Sequence, residues 1–204
     1  MPKKTNKKRD ELAKIVDFLF EVGILAKTPR SGFYFWGNNK QSVAEHINRT
    51  VYVGYVLACL EKHVDVGKVV TMCLFHDVAE TRVSDLNWTH QKYVVRHEDR
   101  AFQDMTAPLP FGPNMRTIID EYEERKSSEA IVAKDADSIE LLFSLKEEID
   151  TGNTRAKTLI PPLLKRLKTR SAKQLAAIIN KTSSDHWWFG NKEDSWWVNR
   201  NKAI

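Results

Sequence analysis

A chain of 204 residues with a formal charge of +5, 42% hydrophobic and 29% charged, suits one globular domain with a core of its own. Only 8 Gly and 7 Pro argue against a turn-rich β protein, and no apolar run reaches the roughly 18 residues a membrane span needs. No secretory leader opens the chain, so a soluble, cytoplasmic protein is expected, and the basic runs at 2–10 and 165–173 read as solvated surface rather than a nucleic-acid grip.

From Glu11 to Gly23, apolar residues at Leu12, Ile15, Val16, Leu19 and Phe20 keep helical spacing, and Gly23 is a suitable stop. The basic run before them is expected to be a flexible tail. Residues 27–41 read as a loop, because Phe33 to Trp36, although strand-like, have no partner strand. Ser42 and Glu45 then form a capping-box pattern that opens a second helix. A third helix is expected over 66–82, another near 90–105, and others over 115–128, 128–150, 154–169 and 171–182. The fold class is therefore all-α, a bundle of about eight helices. Cys59 and Cys73 sit in apolar helical patterns and read as buried free thiols.

The stretch "CLFHDVAETRVSD" at 73–85 carries the chemistry. It follows a run with little charge and delivers His76, Asp77, Glu80 and Asp85. At 100° per residue, His76, Asp77 and Glu80 share an arc of about 100° on one helical face. Asp85 falls beyond the expected helix end and can fold back. Charges at such a position are costly unless something pairs with them. His46 stands in the first turn of its helix, where the dipole disfavours an imidazolium and favours the neutral imidazole that a metal needs. Asp137 lies inside an apolar helical run among Ala130, Ala133, Leu141 and Ser144, and there it needs a cation.

One divalent metal held by His46, His76, Asp77 and Asp137 answers all of these demands. Two imidazoles and two carboxylates suit Mn, Co, Fe, Ni or Zn, with octahedral ions preferred because four protein ligands must leave open positions. Plainer readings compete at several positions. His46 could be a core histidine, Glu80 could pair with Arg82, Asp85 could cap the next helix, and Arg30 could be an ordinary surface residue. His90 and His97, seven apart, could support a second metal, whereas His63 and His186 read as surface or packing residues.

The ordered set "SVAEH…FHDVAETRVSD…KDADSIE" resembles the HD-domain metal-dependent phosphohydrolases, in particular the branch of 5′-deoxyribonucleotidases, over roughly residues 12–150. "TPRSGFYFWG" resembles the same branch. The resemblance implies a single HD domain with a helical, Trp-rich extension over 151–204. It implies the four metal ligands above, Glu80 as the acid that orients or activates water, Asp85 as a second catalytic or substrate-contacting acid, and Arg30 as the phosphate clamp. The implied activity is removal of phosphate from nucleoside 5′-monophosphates, deoxyribonucleotides first, by a homodimer. The alternatives are another phosphate ester (a nucleoside triphosphate, a cyclic nucleotide or (p)ppGpp) or a non-catalytic, metal-stabilised interaction module. The segment after about 152 departs from the resemblance. Its pairs Trp187–Trp188 and Trp196–Trp197 are expected to fold over the core or a partner subunit, or to form a lid.

Overall fold

A computed structural model describes residues 3–36 and 40–190. The helices are α1 (Lys3–Val22), α2 (Phe33–Trp36), α3 (Val43–Leu60), α4 (Val66–Phe75), α5 (Glu80–Val83), α6 (Glu98–Thr106), α7 (Gly112–Glu124), α8 (Ser128–Asp150), α9 (Ile160–Leu164), α10 (Arg170–Ile179) and α11 (His186–Phe189). Short 3₁₀ turns join some of them. Among the described residues the only β feature is an isolated bridge between Pro29 and Ser42, so the all-α expectation holds. No helix among these residues is long and apolar enough to cross a membrane.

The 23-residue α8 is the centre of the bundle. It touches α3, α4, α7, α9 and α10, and Val132, Ile139, Leu142 and Leu145 along it are fully buried. Asp135 and Glu140 on the same helix are buried as well, so each needs a polar partner within the fold. Ser127 caps its start by accepting from the Ala130 amide. The capping box on α3 forms as expected: Ser42 Oγ accepts from the Glu45 amide, and the Glu45 carboxylate accepts from the Ser42 amide.

Two apolar clusters meet along α3. One gathers Val53 and Leu57 with α4, α8 and the C-terminal residues Ala156, Leu163, Leu167, Ala172, Ala176 and Ile179. The other gathers Val43 and Ile47 with Phe18, Leu25, Val78, Phe102, Met105 and Met115. The segment after residue 152 thus contributes to the same core as α3 and α8. Gly54 lets α3 and α4 come close, since a Cβ there would stand 2.6 Å from Cys73 Sγ. That approach brings His46 and His76 to one level at the junction of the two clusters.

Several expectations are corrected. The basic start is helical from Lys3 rather than a flexible tail. The third helix stops at Phe75, and residues 76–79 turn through i→i+3 bonds (Val78 N to Phe75 O, Glu80 N to Asp77 O) before α5 begins. No Gly or Pro marks that break. The region near 90–105 is a single 3₁₀ turn at His90–Lys92, an irregular stretch and then α6. Cys59 is exposed, because it falls on the outer side of α3, while Cys73 is buried as expected. Trp187 and Trp188 are exposed rather than folded onto the core, where the turn before α11 is tied instead by the Ser184 amide donating to Asp150. Trp196 and Trp197 lie outside the described residues.

Candidate metal centre

His46, on the first turn of α3, has no exposed surface, and both of its ring nitrogens are engaged. Its Nδ1 lies 2.5 Å from Glu140 Oε2 on α8. With Nδ1–H donated to that carboxylate, Nε2 is left facing inward. His76, at the end of α4, repeats the device: its Nδ1 donates to Cys73 O at 2.8 Å. The two Nε2 atoms then stand 3.2 Å apart. Asp77 Oδ2 is 3.2 Å from His76 Nε2 and 3.5 Å from His46 Nε2, and Asp137 Oδ1 is 3.4 Å from His46 Nε2.

The donor atoms of His46, His76 and Asp77 all lie within 4.8 Å of one another, the one such group among the described residues. Asp137 joins it through His46. Atoms bound about 2.1 Å from one ion lie about 3.0–3.4 Å from each other, so this spacing fits a shared divalent cation. The donor chemistry fits too. Lone pairs of two Nε2 atoms and two carboxylates facing one another repel unless a cation or a proton lies between them.

In the absence of metal, a proton fills part of that role. Burial and the Arg30 charge lower the His46 pKa, but its hydrogen bonds to Asp137 and Glu140 prevail and push it up to about 9. Asp137 and Glu140 thus act on His46 against the helix dipole. Burial also works to raise Asp77 and Asp137, yet the two histidines hold both carboxyls well below their usual range.

The other candidate residues surround this group. Glu80, at the start of α5, is almost fully buried, and its Oε2 has no hydrogen-bond partner. Its nearest cation is Arg96, at 3.6 Å from Oε1, and not Arg82, which pairs with Glu21. Burial first, then Asp77 and Asp85, push the Glu80 carboxyl up to about 10 against the opposing pull of Arg30 and Arg96. Arg30 reaches Asp77 Oδ2 at 3.3 Å and Asp85 Oδ1 at 4.0 Å. Despite burial, these carboxylates hold its guanidinium above its ordinary pKa. Asp85 does not cap a following helix; its Oδ2 accepts from the Ser31 amide at 2.6 Å, and Asn87 also bonds to Ser31, which stitches the Arg30 loop to the chain after α5.

Glu140 was not among the sequence-based candidates. It accepts from Gln41 Nε2 at 2.8 Å and from the Arg49 guanidinium at 2.9 and 3.0 Å as well as contacting His46. Asp137 and Glu140 are three apart on one face of an apolar helix, and that spacing was the available signal. His90 bonds to Asn87 and His97 immediately precedes α6; neither joins a metal-type cluster among the described residues. A cavity of about 600 Å³ opens on Asp77, Glu80, Asp85 and Asp137, with Arg30, Phe33, Asn87, Trp88 and Arg166 among its walls.

Residues 22–188 match the HD domain family. The chain belongs to the HD domain family. Within it, a bovine protein named 5′-deoxynucleotidase HDDC2 is 28% identical over 145 residues, covering 68% of this chain and 70% of that one. The protein of the same name from Dictyostelium discoideum is 28% identical over 149 residues, covering 67% and 78%. A solved structure of a conserved hypothetical protein from Pyrococcus furiosus superposes with a TM-score of 0.69 over 82% of this chain and 99% of that one, at 24% identity, a likeness of fold. Within this HD domain the bundle brings His46 and the pair His76–Asp77 together.

Proposed function

We propose that this HD domain is a metal-dependent phosphohydrolase that removes the phosphate from nucleoside 5′-monophosphates, deoxyribonucleotides first. The observation that carries the reading is the convergence of His46 Nε2, His76 Nε2, Asp77 and Asp137, with Asp77 and Asp137 opening onto a cavity that a buried, half-partnered Glu80 and a partly buried Arg30 also line. The relatives named 5′-deoxynucleotidase support the choice of substrate. His46, His76, Asp77 and Asp137 would hold one divalent ion, with Mn, Co, Fe, Ni or Zn all compatible with the ligand types. A divalent ion there supplies Lewis acidity, polarising a phosphoryl oxygen and making water easier to deprotonate.

The chain's own residues do the rest. Arg30, permanently charged and fixed by Asp77 and Asp85, binds phosphate oxygens in the cavity. Glu80, with its Oε2 unpartnered beside the metal group, accepts the proton of the attacking water in its ionised form, which a bound divalent cation would favour against the burial that raises its pKa. Asp85 orients Arg30 and the Ser31 loop and is placed to contact the sugar or the leaving oxygen. Trp88 and Phe33 give the cavity aromatic surface for a base.

Two further assignments accompany this reading. Leu12, Val16, Leu19 and Phe20 on α1, and Tyr52, Tyr55, Val56 and Leu60 on α3, are exposed on single helical faces, which suits a homodimer. Two free cysteines suit a reducing, cytoplasmic setting. The deciding experiment measures phosphate release from a panel of ribo- and deoxyribonucleotides by chelator-treated protein resupplied with Mn, Co, Ni, Zn or Mg. Turnover of deoxynucleoside monophosphates that returns with metal is expected; no release from any nucleotide with any metal overturns the reading.

A further inference from the structure

A second cavity, of about 750 Å³, is walled by α6 and α7 and reaches His76, Asp77 and Glu80. Of its lining, only Asp77, Glu80 and Arg96 also face the cavity assigned to the nucleotide. The two differ in charge. The second cavity carries seven carboxylates, those of Asp77, Glu80, Glu98, Asp99, Asp120, Glu123 and Glu124, against the guanidinium groups of Arg96 and Arg116. The nucleotide cavity carries four carboxylates against five cations. Asp77 and Glu80 belong to both, so their protonation leaves the contrast unchanged.

The outer acids have neighbours of opposite charge. Glu98 pairs with Arg96 at 2.7 Å, and Asp99 and Asp120 both pair with Arg116. From outside the lining, Arg125 and Lys134 approach Glu123 at 3.7 and 3.6 Å, and Lys126 approaches Glu124 at 3.6 Å. Even with these counted, carboxylates outnumber cations around the cavity. The five outer carboxylates are 46–79% exposed, so they form a solvated rim whose pull is long-ranged and screened by salt. Glu98 and Asp99 stand in the first turn of α6, where the helix dipole favours acids anyway. Glu123 and Glu124 stand in the last turn of α7, where they oppose the dipole and no basic residue shares the turn. Helix chemistry accounts for the first pair and not for the second.

The floor is different. Glu80 is 5% exposed, its Oε2 has no hydrogen-bond partner, and beside it stand His76 and Asp77, two of the four metal donors. A buried carboxylate oxygen left over at the foot of an acidic cavity is matched by a cation. Among the described residues, however, no three of the rim acids bring donor atoms within 4.8 Å of one another. The rim can therefore attract a divalent ion without chelating it.

We propose that this acidic cavity is the loading route of the divalent ion. Its rim draws the ion from solvent toward His76 and Asp77 and repels phosphate, so metal and nucleotide enter by separate mouths. The proposal rests on the metal half of the reading above and not on the identity of the substrate.

The test mixes chelator-treated, full-length protein with Co in a stopped-flow instrument. Association is followed by quenching of tryptophan fluorescence, at low salt and at about 0.5 M salt, and bound cobalt is counted after dialysis. Asp120→Lys/Glu124→Lys is expected to slow association at least about fivefold at low salt, and the gentler Asp120→Asn/Glu124→Gln about two- to threefold, with both differences shrinking at high salt. Arg166→Glu, which makes the nucleotide cavity more acidic, is expected to leave the rate unchanged, with one ion bound per chain throughout. Unaltered association in both rim variants, or association accelerated by Arg166→Glu, overturns the route. So do two ions per chain in the unsubstituted protein, which make the rim a binding site instead. Failure of the unsubstituted protein to take up any cobalt overturns the metal centre and the route with it, whereas normal uptake that ignores the rim counts against the route alone.

Discussion

Glu140 Oε2 lies 2.5 Å from His46 Nδ1, and this contact decides which nitrogen of His46 faces the metal group. Gln41 and Arg49 hold the same carboxylate from its other oxygen, so the ring is fixed through three residues on two segments. Partners of this kind typically change metal affinity by 10- to 100-fold when removed. Glu140→Gln is therefore expected to weaken divalent cation binding by about that factor. Excess metal should restore most of the lost activity, since the four donors remain. A metal titration of chelator-treated protein checks this, and unchanged affinity would mean that His46 is oriented by packing alone.

The same carboxylate carries a pH signature. Burial works to raise the Glu140 carboxyl, but His46 and then Arg49 hold it down at about 2, below its ordinary value of 4.5. A depressed carboxyl contributes stability that is present above the unfolded value and lost as pH falls toward the folded one. Metal-free wild-type protein is thus expected to exceed Glu140→Gln by about 1–3 kcal/mol at pH 7 and to lose that advantage between about pH 4.5 and 2. Urea unfolding of both proteins at pH 7 and pH 3 measures the gap.

Glu80 calls for a different pair of variants. Replacing it with Gln should remove about 100-fold or more of turnover while leaving metal content intact, because it accepts a proton and holds no metal in the proposed scheme. Its elevated pKa also places an acidic limb on the pH–rate profile, since a base must be ionised to act. Arg96 is one of the charges that pull Glu80 down. Arg96→Gln is expected to shift the acidic limb of kcat/KM to higher pH, so that activity lost at pH 7 returns in part as the pH is raised. A profile that falls evenly at every pH would assign Arg96 to substrate binding instead.

Much of this architecture was legible because local chemistry and global fold agree. Ser42 and Glu45 cap α3 where the pattern predicts, and Asp137, read as a carboxylate in need of a partner, stands against His46. The end of α4 was not legible. Nothing between Lys68 and Val83 is Gly or Pro, and the break at Phe75 is held by contacts made across the fold, such as Arg30 to Asp77 over a separation of 47 residues. Arg96 as the partner of Glu80 was hidden for the same reason, because sequence spacing suggests only the nearer Arg82. Glu140 was readable in principle, yet a second acid three residues from a candidate ligand has no distinguishing mark until His46 is seen against it.

The two cysteines should separate cleanly in a labelling experiment. Burial and the nearby Asp137 carboxylate push the Cys73 thiol up to about 12. A raised thiol pKa means less thiolate at neutral pH, and the side chain is also out of reach. Cys59 is exposed. Native protein treated with iodoacetamide at pH 7.5 is expected to take up one label, on Cys59, and a second only after unfolding. Rapid labelling of Cys73 in the native state would place an opening of α4, and with it His76, within easy thermal reach.

Ser84 is the most strained backbone position next to the site. At φ 60° and ψ 160° it occupies a region that essentially only glycine adopts, at a cost of about 1–3 kcal/mol. The strain turns the chain out of α5 so that Asp85, the next residue, reaches the Ser31 amide and stands 4.0 Å from Arg30. Ser84→Gly removes the strain but adds freedom to the unfolded chain, which offsets part of the gain. A net stabilisation of about 1 kcal/mol is expected, a rise of about 2–4 °C in Tm for a chain of this size. Ser84→Val, with a branched Cβ in the same conformation, should move Tm the other way and loosen Asp85, which would appear as a higher KM as Arg30 loses its anchor. If glycine brings no stabilisation and valine no loss, the left-handed turn at Ser84 is not what places Asp85 in the site.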